Sequence, residues 1–481
     1  MLGSSAAAGT ERGVSVGDVI PAAKASELEP HIIVRSEHPI SRRDIDPNVL
    51  KVLYRLGAAG HIAYLVGGSV RDLMLGRRPK DFDVATSAHP HQVRELFRNS
   101  RLIGRRFRLA HVFFGPQNIE VATFRRQSDD TATEGDPMIR ADNTFGTPEE
   151  DAFRRDFTVN SLFYDPQTFN VIDYAGGAED LGARLIRTIG DPELRMREDP
   201  VRMMRAVRFA AKLGFEIEPA TRAAIVTHRG DLAKASVPRL VEETYRTVGQ
   251  PASARAVALM DELGLLEALL PFLAEHMKRH TAGADQSPTL RNLAALGRMI
   301  EGTAAPDHAI VLAAMTLDLV RGRSGRRDGF DLLAELRARG FARGDTERMR
   351  LIHDAFENLA APSRRTRRLM RRPYFTAARE FFEALAPTYG IDASALARYM
   401  ENPDVFLAHR PRSIAGNGTT PDGSAGRRRR RRRGGRRNRL RSTLAATASD
   451  AAPEPYDAQG PRPIDDTAAP DFVSRASKPH P

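Results

Sequence analysis

The chain contains no cysteine. That excludes disulfides, thiolate zinc sites and a cysteine nucleophile. Long apolar runs are missing too, and none approaches the roughly 18 residues needed to cross a bilayer. The stretch Met1 to Val19 has no apolar core flanked by basic residues. No secretory leader is therefore expected, and the expected location is cytoplasmic. Acidic residues are absent from residues 427 to 441, which hold eleven Arg. Taking those eleven from the net charge of +12 leaves +1 for everything else. The basic character is thus concentrated in one block, with Arg427, Arg428, Arg429, Arg430, Arg431, Arg432 and Arg433 unbroken. Such a run repels itself, cannot fold, and binds polyanions by releasing their counterions. Arg rather than Lys favours phosphate contact. The plainer reading is a solvated tail that only aids solubility.

What is present is an ordinary globular composition, 41% hydrophobic and 28% charged over 481 residues. That length supports two to four units, each with its own core. Residues 1–45 lack sustained periodicity and are expected to be a disordered extension. From Pro47 the pattern becomes globular. Ile62 to Val66 reads as a strand, Gly67-Gly68 as a tight turn and Ser69 to Leu75 as a short helix. Phe82 to Ala85 reads as a strand and Val93 to Phe97 as helical. Leu102 to Phe114 and Ile119 to Phe124 read as strands joined near Gly115-Pro116. Residues 126–150 are polar and rich in turn formers, which makes them a long loop of the kind that serves as a lid. After Asp173 helical periodicity takes over and runs to about Ala408, with Leu259, Leu263, Leu266 and Leu270 one apolar stripe. From Pro411 the composition predicts disorder.

Three constellations carry chemistry. In the first, Leu65-Val66-Gly67-Gly68-Ser69-Val70-Arg71-Asp72 precedes Asp81-Phe82-Asp83. Strand alternation puts Asp81 and Asp83 on one surface with Phe82 turned to the core. Paired carboxylates repel unless cations lie between them, and hard oxygen ligands suit Mg²⁺. The Gly67-Gly68 turn lets backbone amides approach a triphosphate, with a helix N-terminus behind it. An isolated D-x-D is usually a surface feature; thirteen residues after Gly68 it is far more specific. The second is Arg154-Arg155-Asp156-Phe157-Thr158-Val159-Asn160-Ser161, where Arg155 suits phosphate. Asp156 and Asn160 would bond a ribose or complete an acidic centre; an exposed charged turn is the alternative. The third is Glu198-Asp199-Pro200-Val201-Arg202, opening a helix that continues through Arg205 and Arg208. Asp199 and Arg202 are three apart and predict either a plain salt bridge or a donor–acceptor pair for a base edge. That pair fits adenine and cytosine equally.

In this order the three segments resemble the motifs of the class II nucleotidyltransferase family, the bacterial poly(A) polymerases and CCA-adding enzymes, over roughly residues 50 to 250. The resemblance implies an α+β protein: a small mixed β-sheet nucleotidyltransferase head followed by all-helical neck, body and tail regions. Mapped on the chain, it implies a head at 46–175, a neck at 176–250, a body at 251–410 and a disordered Arg-rich tail at 411–481. Leu102 to Val112, with Arg106 and Arg108, is similar to the segment marking the poly(A) polymerase branch, as are the N-terminal extension and the Arg tail. Two departures stand out. Ser69 replaces the usual Cys or Ala, keeping a small side chain, and the 126–150 loop is short for that branch.

The resemblance implies polynucleotide adenylyl transfer: an RNA 3′-hydroxyl attacks the α-phosphate of ATP and pyrophosphate leaves. Asp81 and Asp83 would hold two Mg²⁺ ions. Asp156 would be the third acid by resemblance, with Glu120 its competitor. Gly67, Gly68, Ser69, Arg71 and Asp72 would cradle the triphosphate. Arg155, Asn160 and Arg205 would hold the nucleotide, and Asp199 with Arg202 the base. RNA 3′ ends are the expected partner. A CCA-adding enzyme acting on tRNA is the near rival, and a catalytically idle RNA-binding protein the distant one.

Overall fold

A computed structural model describes residues 29–104, 109–126, 145–280, 287–303, 306–322 and 330–408. Arg106 and Arg108, most of the 126–150 loop, and the whole 411–481 tail with its Arg run lie outside the described residues.

Eight strands form one mixed sheet: β1 (His31–Ile33), β2 (Ala63–Val66), β3 (Asp83–Thr86), β4 (Ser100–Ile103), β5 (Leu109–Phe114), β6 (Gln117–Thr123), β7 (Leu162–Tyr164) and β8 (Val171–Asp173). Their order is β1-β8-β7-β2-β3-β6-β5-β4. Only the β3–β6 pair is parallel. The remaining neighbours are antiparallel. Leu65, Val84, Val112 and Val121 are buried on one face. Val66, Ala85, Phe124 and Phe163 form a second, smaller core on the other. Both faces are therefore covered at β2 and β7, which is why those strands read as continuous apolar runs, whereas β6 alternates buried and exposed residues.

Two expectations about boundaries change. The extension expected to be disordered to residue 45 is ordered in its last third: β1 pairs with β8, and Ile33 and Ile40 are buried. His38 Nε2 also lies 2.8 Å from the Phe169 carbonyl oxygen. A three-residue strand has no visible period, and its partner is some 140 residues away in the chain. The single strand expected from Leu102 to Phe114 is an antiparallel pair, β4 and β5, with Gly104 at φ +95° where the chain leaves β4.

After Asp173 the regular structure of the described residues is helical apart from the two-stranded pair Leu185–Ile186 and Glu216–Ile217. Glu198 does not open a helix as expected; it closes Pro192–Glu198, and Val201–Leu213 starts afresh after Pro200. The expected Leu259–Leu270 stripe is likewise broken, since Ser253–Glu262 ends before Gly264 at φ +73° and Leu265–Leu269 begins after it. Leu263, Leu266 and Leu270 stay buried because the two helices turn the same side to the core. No helix among the described residues is long and apolar enough to cross a membrane.

Candidate active site

β2, β3 and the helix Gly68–Met74 place the first motif. Val66 pairs directly with Asp83 across β2–β3, so the glycine turn and the acidic pair share one end of the sheet. Gly67 has φ +69° and ψ −134°, a conformation open only to glycine. A Cβ there would also stand 3.1 Å from Arg155 Nη1. Asp81 lies just before β3 rather than on it, yet both carboxylates line one cleft as expected.

That cleft has a volume of 770 Å³, within the range of small-molecule sites. Its wall brings together every expected site residue of the three motifs: Gly67, Gly68, Ser69, Arg71, Asp72, Asp81, Asp83, Arg155, Asp156, Asn160, Asp199, Arg202 and Arg205. Glu120, the competing third acid, is not among the lining residues. Ten basic side chains line the cleft against five acidic ones, so its field suits a polyanion.

The partners within the cleft separate framework from free groups. Asp151, only 1% exposed, accepts from both Arg154 and Arg155 at 2.6–3.1 Å. Burial would raise its carboxyl, but the two guanidinium groups hold it below the ordinary value. Arg155 also donates to the Asn160 carbonyl at 3.2 Å, so its fork is occupied rather than offered to phosphate. Arg71 is buried and donates to Asp72 and to Asn160 Oδ1. Ser69 is buried and donates its hydroxyl proton to the Val66 carbonyl, 2.8 Å away. Of these three residues, expected at the phosphates or the nucleotide, Arg71 joins the first motif to the second, Arg155 braces the second, and Ser69 closes the glycine turn.

Asp156 is a joint as well. Its Oδ1 accepts from the Phe157 amide and Asn160 Nδ2, and its Oδ2 from Arg205 Nε and Nη2 at 2.8 and 2.6 Å. Burial opposes the charge, yet Arg205 keeps the carboxyl below its ordinary value. Glu120 stands directly beside Asp83 in the parallel β3–β6 register. Burial, then the charges of Glu120 and Asp81, raises the Asp83 carboxyl, with Arg155 partly offsetting them. Asp199 pairs with Arg239 at 2.7 Å rather than with Arg202, whose Nη1 donates to the Arg195 carbonyl.

Sequence reasoning missed the cations that remain available. Arg78 and Lys80, just before Asp81, and Lys212, on Val201–Leu213, line the cleft without an acidic partner within ion-pair distance among the described residues. Burial depresses the Lys212 ammonium, partly offset by Asp72. Arg78 and Lys80 flank the acidic pair and were legible there; Lys212 enters the cleft only through helix packing. A separate group, His276, His280 and Asp318, brings its ligand atoms within 4.8 Å of one another in the helical half. There His276 Nε2 already bonds Asp318 at 2.6 Å, an internally satisfied pair.

The chain is similar to known proteins over the segments that build this cleft. Residues 63–187 match the family described as poly A polymerase head domain. Residues 214–277 match the family described as probable RNA and SrmB-binding site of polymerase A. Poly(A) polymerase I of Salmonella typhi is 47% identical over 302 residues, 61% of this chain and 65% of that protein. Poly(A) polymerase I of Escherichia coli O6:H1 is 52% identical over 252 residues, 51% of this chain and 54% of that protein. The chain thus matches between about half and two thirds of the length of these curated relatives. Among solved structures, the Bacillus stearothermophilus CCA-adding enzyme in complex with CTP is 30% identical with a TM-score of 0.56, covering 75% of this chain and 84% of that one.

Proposed function

This chain belongs to the class II nucleotidyltransferase family of poly(A) polymerases and CCA-adding enzymes, and from that premise we propose that it transfers AMP from ATP to RNA 3′ ends. One observation carries the reading. Asp81 and Asp83, whose carboxylates accept no hydrogen bond among the described residues, share a cleft with Arg78, Lys80 and Lys212. Places for cations and for a triphosphate thus lie side by side.

The carboxylates fit divalent metal: they are hard oxygen donors, mutually repelling, and accept from no protein donor among the described residues. Two Mg²⁺ ions bound there would supply Lewis-acid stabilisation of the attacking oxygen and of the leaving pyrophosphate. Glu120, off the cleft wall but beside Asp83 in register and close enough for its charge to act on that carboxyl, is the third acid in this reading, because the lone pairs of Asp156 are already engaged. Arg78, Lys80 and Lys212 hold the triphosphate, and the Gly67 turn lets backbone approach it. Arg71, Arg155, Asn160 and Asp156 with Arg205 keep the three motifs in register. Asp199, steadied by Arg239, and Arg202 face the base. In the transfer the RNA 3′-oxygen bonds the α-phosphorus, the bond to the β-phosphate oxygen breaks, and the hydroxyl proton leaves to solvent or a nearby carboxylate. The neck at 176–250 and body at 251–410 carry RNA, and the Arg tail adds affinity. The protein acts in the cytoplasm, where its nucleotide and RNA substrates are found.

The identities of 47% and 52% to poly(A) polymerases, against 40% to a Bacillus velezensis CCA-adding enzyme, favour ATP-only transfer. The test offers ATP and CTP with two acceptors, an unstructured RNA and a tRNA lacking its CCA end. Long AMP tails on the unstructured RNA are the expected product. Ordered CCA addition confined to tRNA would overturn the reading.

A further inference from the structure

We infer that the segment Arg364–Arg372 is a second RNA-binding surface, which grips the substrate's backbone upstream of its 3′ end. RNA as the ligand rests on the proposed nucleotidyl transfer; the location rests on the charge and packing of the segment itself.

The helix Arg364–Leu369 and the turn after it carry Arg364, Arg365, Arg367, Arg368, Arg371 and Arg372, all exposed. Between Glu357 and Glu380 there is no acidic residue. Among the described residues only Arg367 has an acidic partner, Asp404, at 3.3 Å, and that carboxylate is itself 75% exposed. Elsewhere among the described residues of the same helical half many arginines are matched, among them Arg321 to Glu357, Arg337 to Glu347, and Arg348 to Asp345 and Asp307, and the unmatched ones are not clustered as they are here. An unmatched cluster costs self-repulsion and is stabilised by a polyanion, which takes the place of the missing carboxylates.

The segment is held in a fixed shape. Ser363 caps the start of the helix, its hydroxyl oxygen accepting from the Arg365 amide at 3.2 Å, which opposes fraying there. Thr366 and Leu369 are buried beneath it, and Tyr399 donates to the Ser363 carbonyl at 2.9 Å. Turning Thr366 and Leu369 inward leaves the arginines on the outer face, a rigid array rather than a mobile charge run.

Its position relative to the cleft sets a length scale. Val201–Leu213, which carries Arg202 and Arg205, packs on Val237–Val248, that on His308–Gly322, that on Arg343–Ala360, and that on Arg364–Leu369. At about 8–10 Å per helix step the separation is at most on the order of 30–40 Å. A stacked strand advancing about 3.4 Å per nucleotide spans that with roughly ten nucleotides. The segment lies outside residues 214–277, the RNA-binding family match.

The experiment uses the full chain with Arg364, Arg365 and Arg368 all changed to Glu, and a second variant with the same three changed to Gln. Incorporation is measured on a 4-nucleotide and a 25-nucleotide acceptor, and binding of the longer RNA by fluorescence anisotropy across salt concentrations. We expect KM for the long acceptor to rise about tenfold or more at unchanged kcat, with the short acceptor unaffected. The log–log salt slope should fall by about 2 in either variant, near 0.7 per lost phosphate contact. Equal effects on both acceptors, or unchanged KM and slope, would overturn the inference and leave an acidic protein as the partner to seek. If the unaltered chain incorporates nothing on any RNA, the transfer reading fails while anisotropy still decides the binding surface.

Discussion

Arginines serve opposite purposes in the cleft and in the body segment 364–372. In the cleft Arg71, Arg154, Arg155 and Arg205 are locked onto Asp72, Asp151 and Asp156, and their charge builds the site's shape. In the body segment five of six arginines have no acidic partner among the described residues, and their charge faces outward. The difference teaches that an arginine in a nucleotide site is not thereby a phosphate ligand. A guanidinium whose donors are all taken orients its neighbours, and one left without a carboxylate recruits an anion.

The comparison breaks most severely at the acidic pair, whose charges the cleft leaves unmatched. Asp81→Ala or Asp83→Ala is expected to reduce incorporation by about 10³-fold or more with the thermal midpoint held. Near-normal turnover at saturating Mg²⁺ in either purified variant would remove the metal assignment. Asp151→Ala tests the locked arginines. Removing the carboxylate shared by Arg154 and Arg155 should cost about 2–3 kcal/mol in denaturant unfolding, below the range for fully buried pairs because both arginines are partly exposed. Arg367→Ala in the body segment should stay within about 0.5 kcal/mol, and equal losses at the two sites would erase the distinction.

The body also buries an uncharged base. Burial depresses the His353 imidazole from 6.5 to about 4, the hydrogen bond to the Ala313 carbonyl only partly opposing it. The unfolded chain therefore binds a proton that the folded one refuses. Stability present above about pH 6.5 is lost as pH falls toward 4, by up to about 3 kcal/mol. His353→Gln should flatten the stability profile between about pH 7 and 4.5; a profile identical to the parent's would mean the proton is taken up elsewhere. A more modest effect on activity is expected at the unmatched cations. Lys80→Ala or Lys212→Ala should raise KM for ATP about tenfold, the loss of one charge-assisted bond. Steady-state kinetics in ATP would detect it, and an unchanged KM in both variants would return phosphate binding to the backbone turn.

Much of the head was legible in the chain because its signals are local. Gly67-Gly68 followed by Asp81 and Asp83 specify a turn and two carboxylates on one edge, and β2 and β3 form within two residues of where alternation puts them. The motif order also identified the family, since three spaced segments constrain one another. Tertiary structure alone decided which charges meet. Asp156 and Arg205 are 49 residues apart, and Asp199 and Arg239 forty, so no spacing rule predicts either pair. The same holds for Glu120 beside Asp83, set by a parallel register between strands 37 positions apart, and for β1 at the sheet edge. Sequence determines what a side chain can donate or accept; whether that capacity is still free depends on the neighbour that folding brings, and here that neighbour separates scaffold from ligand.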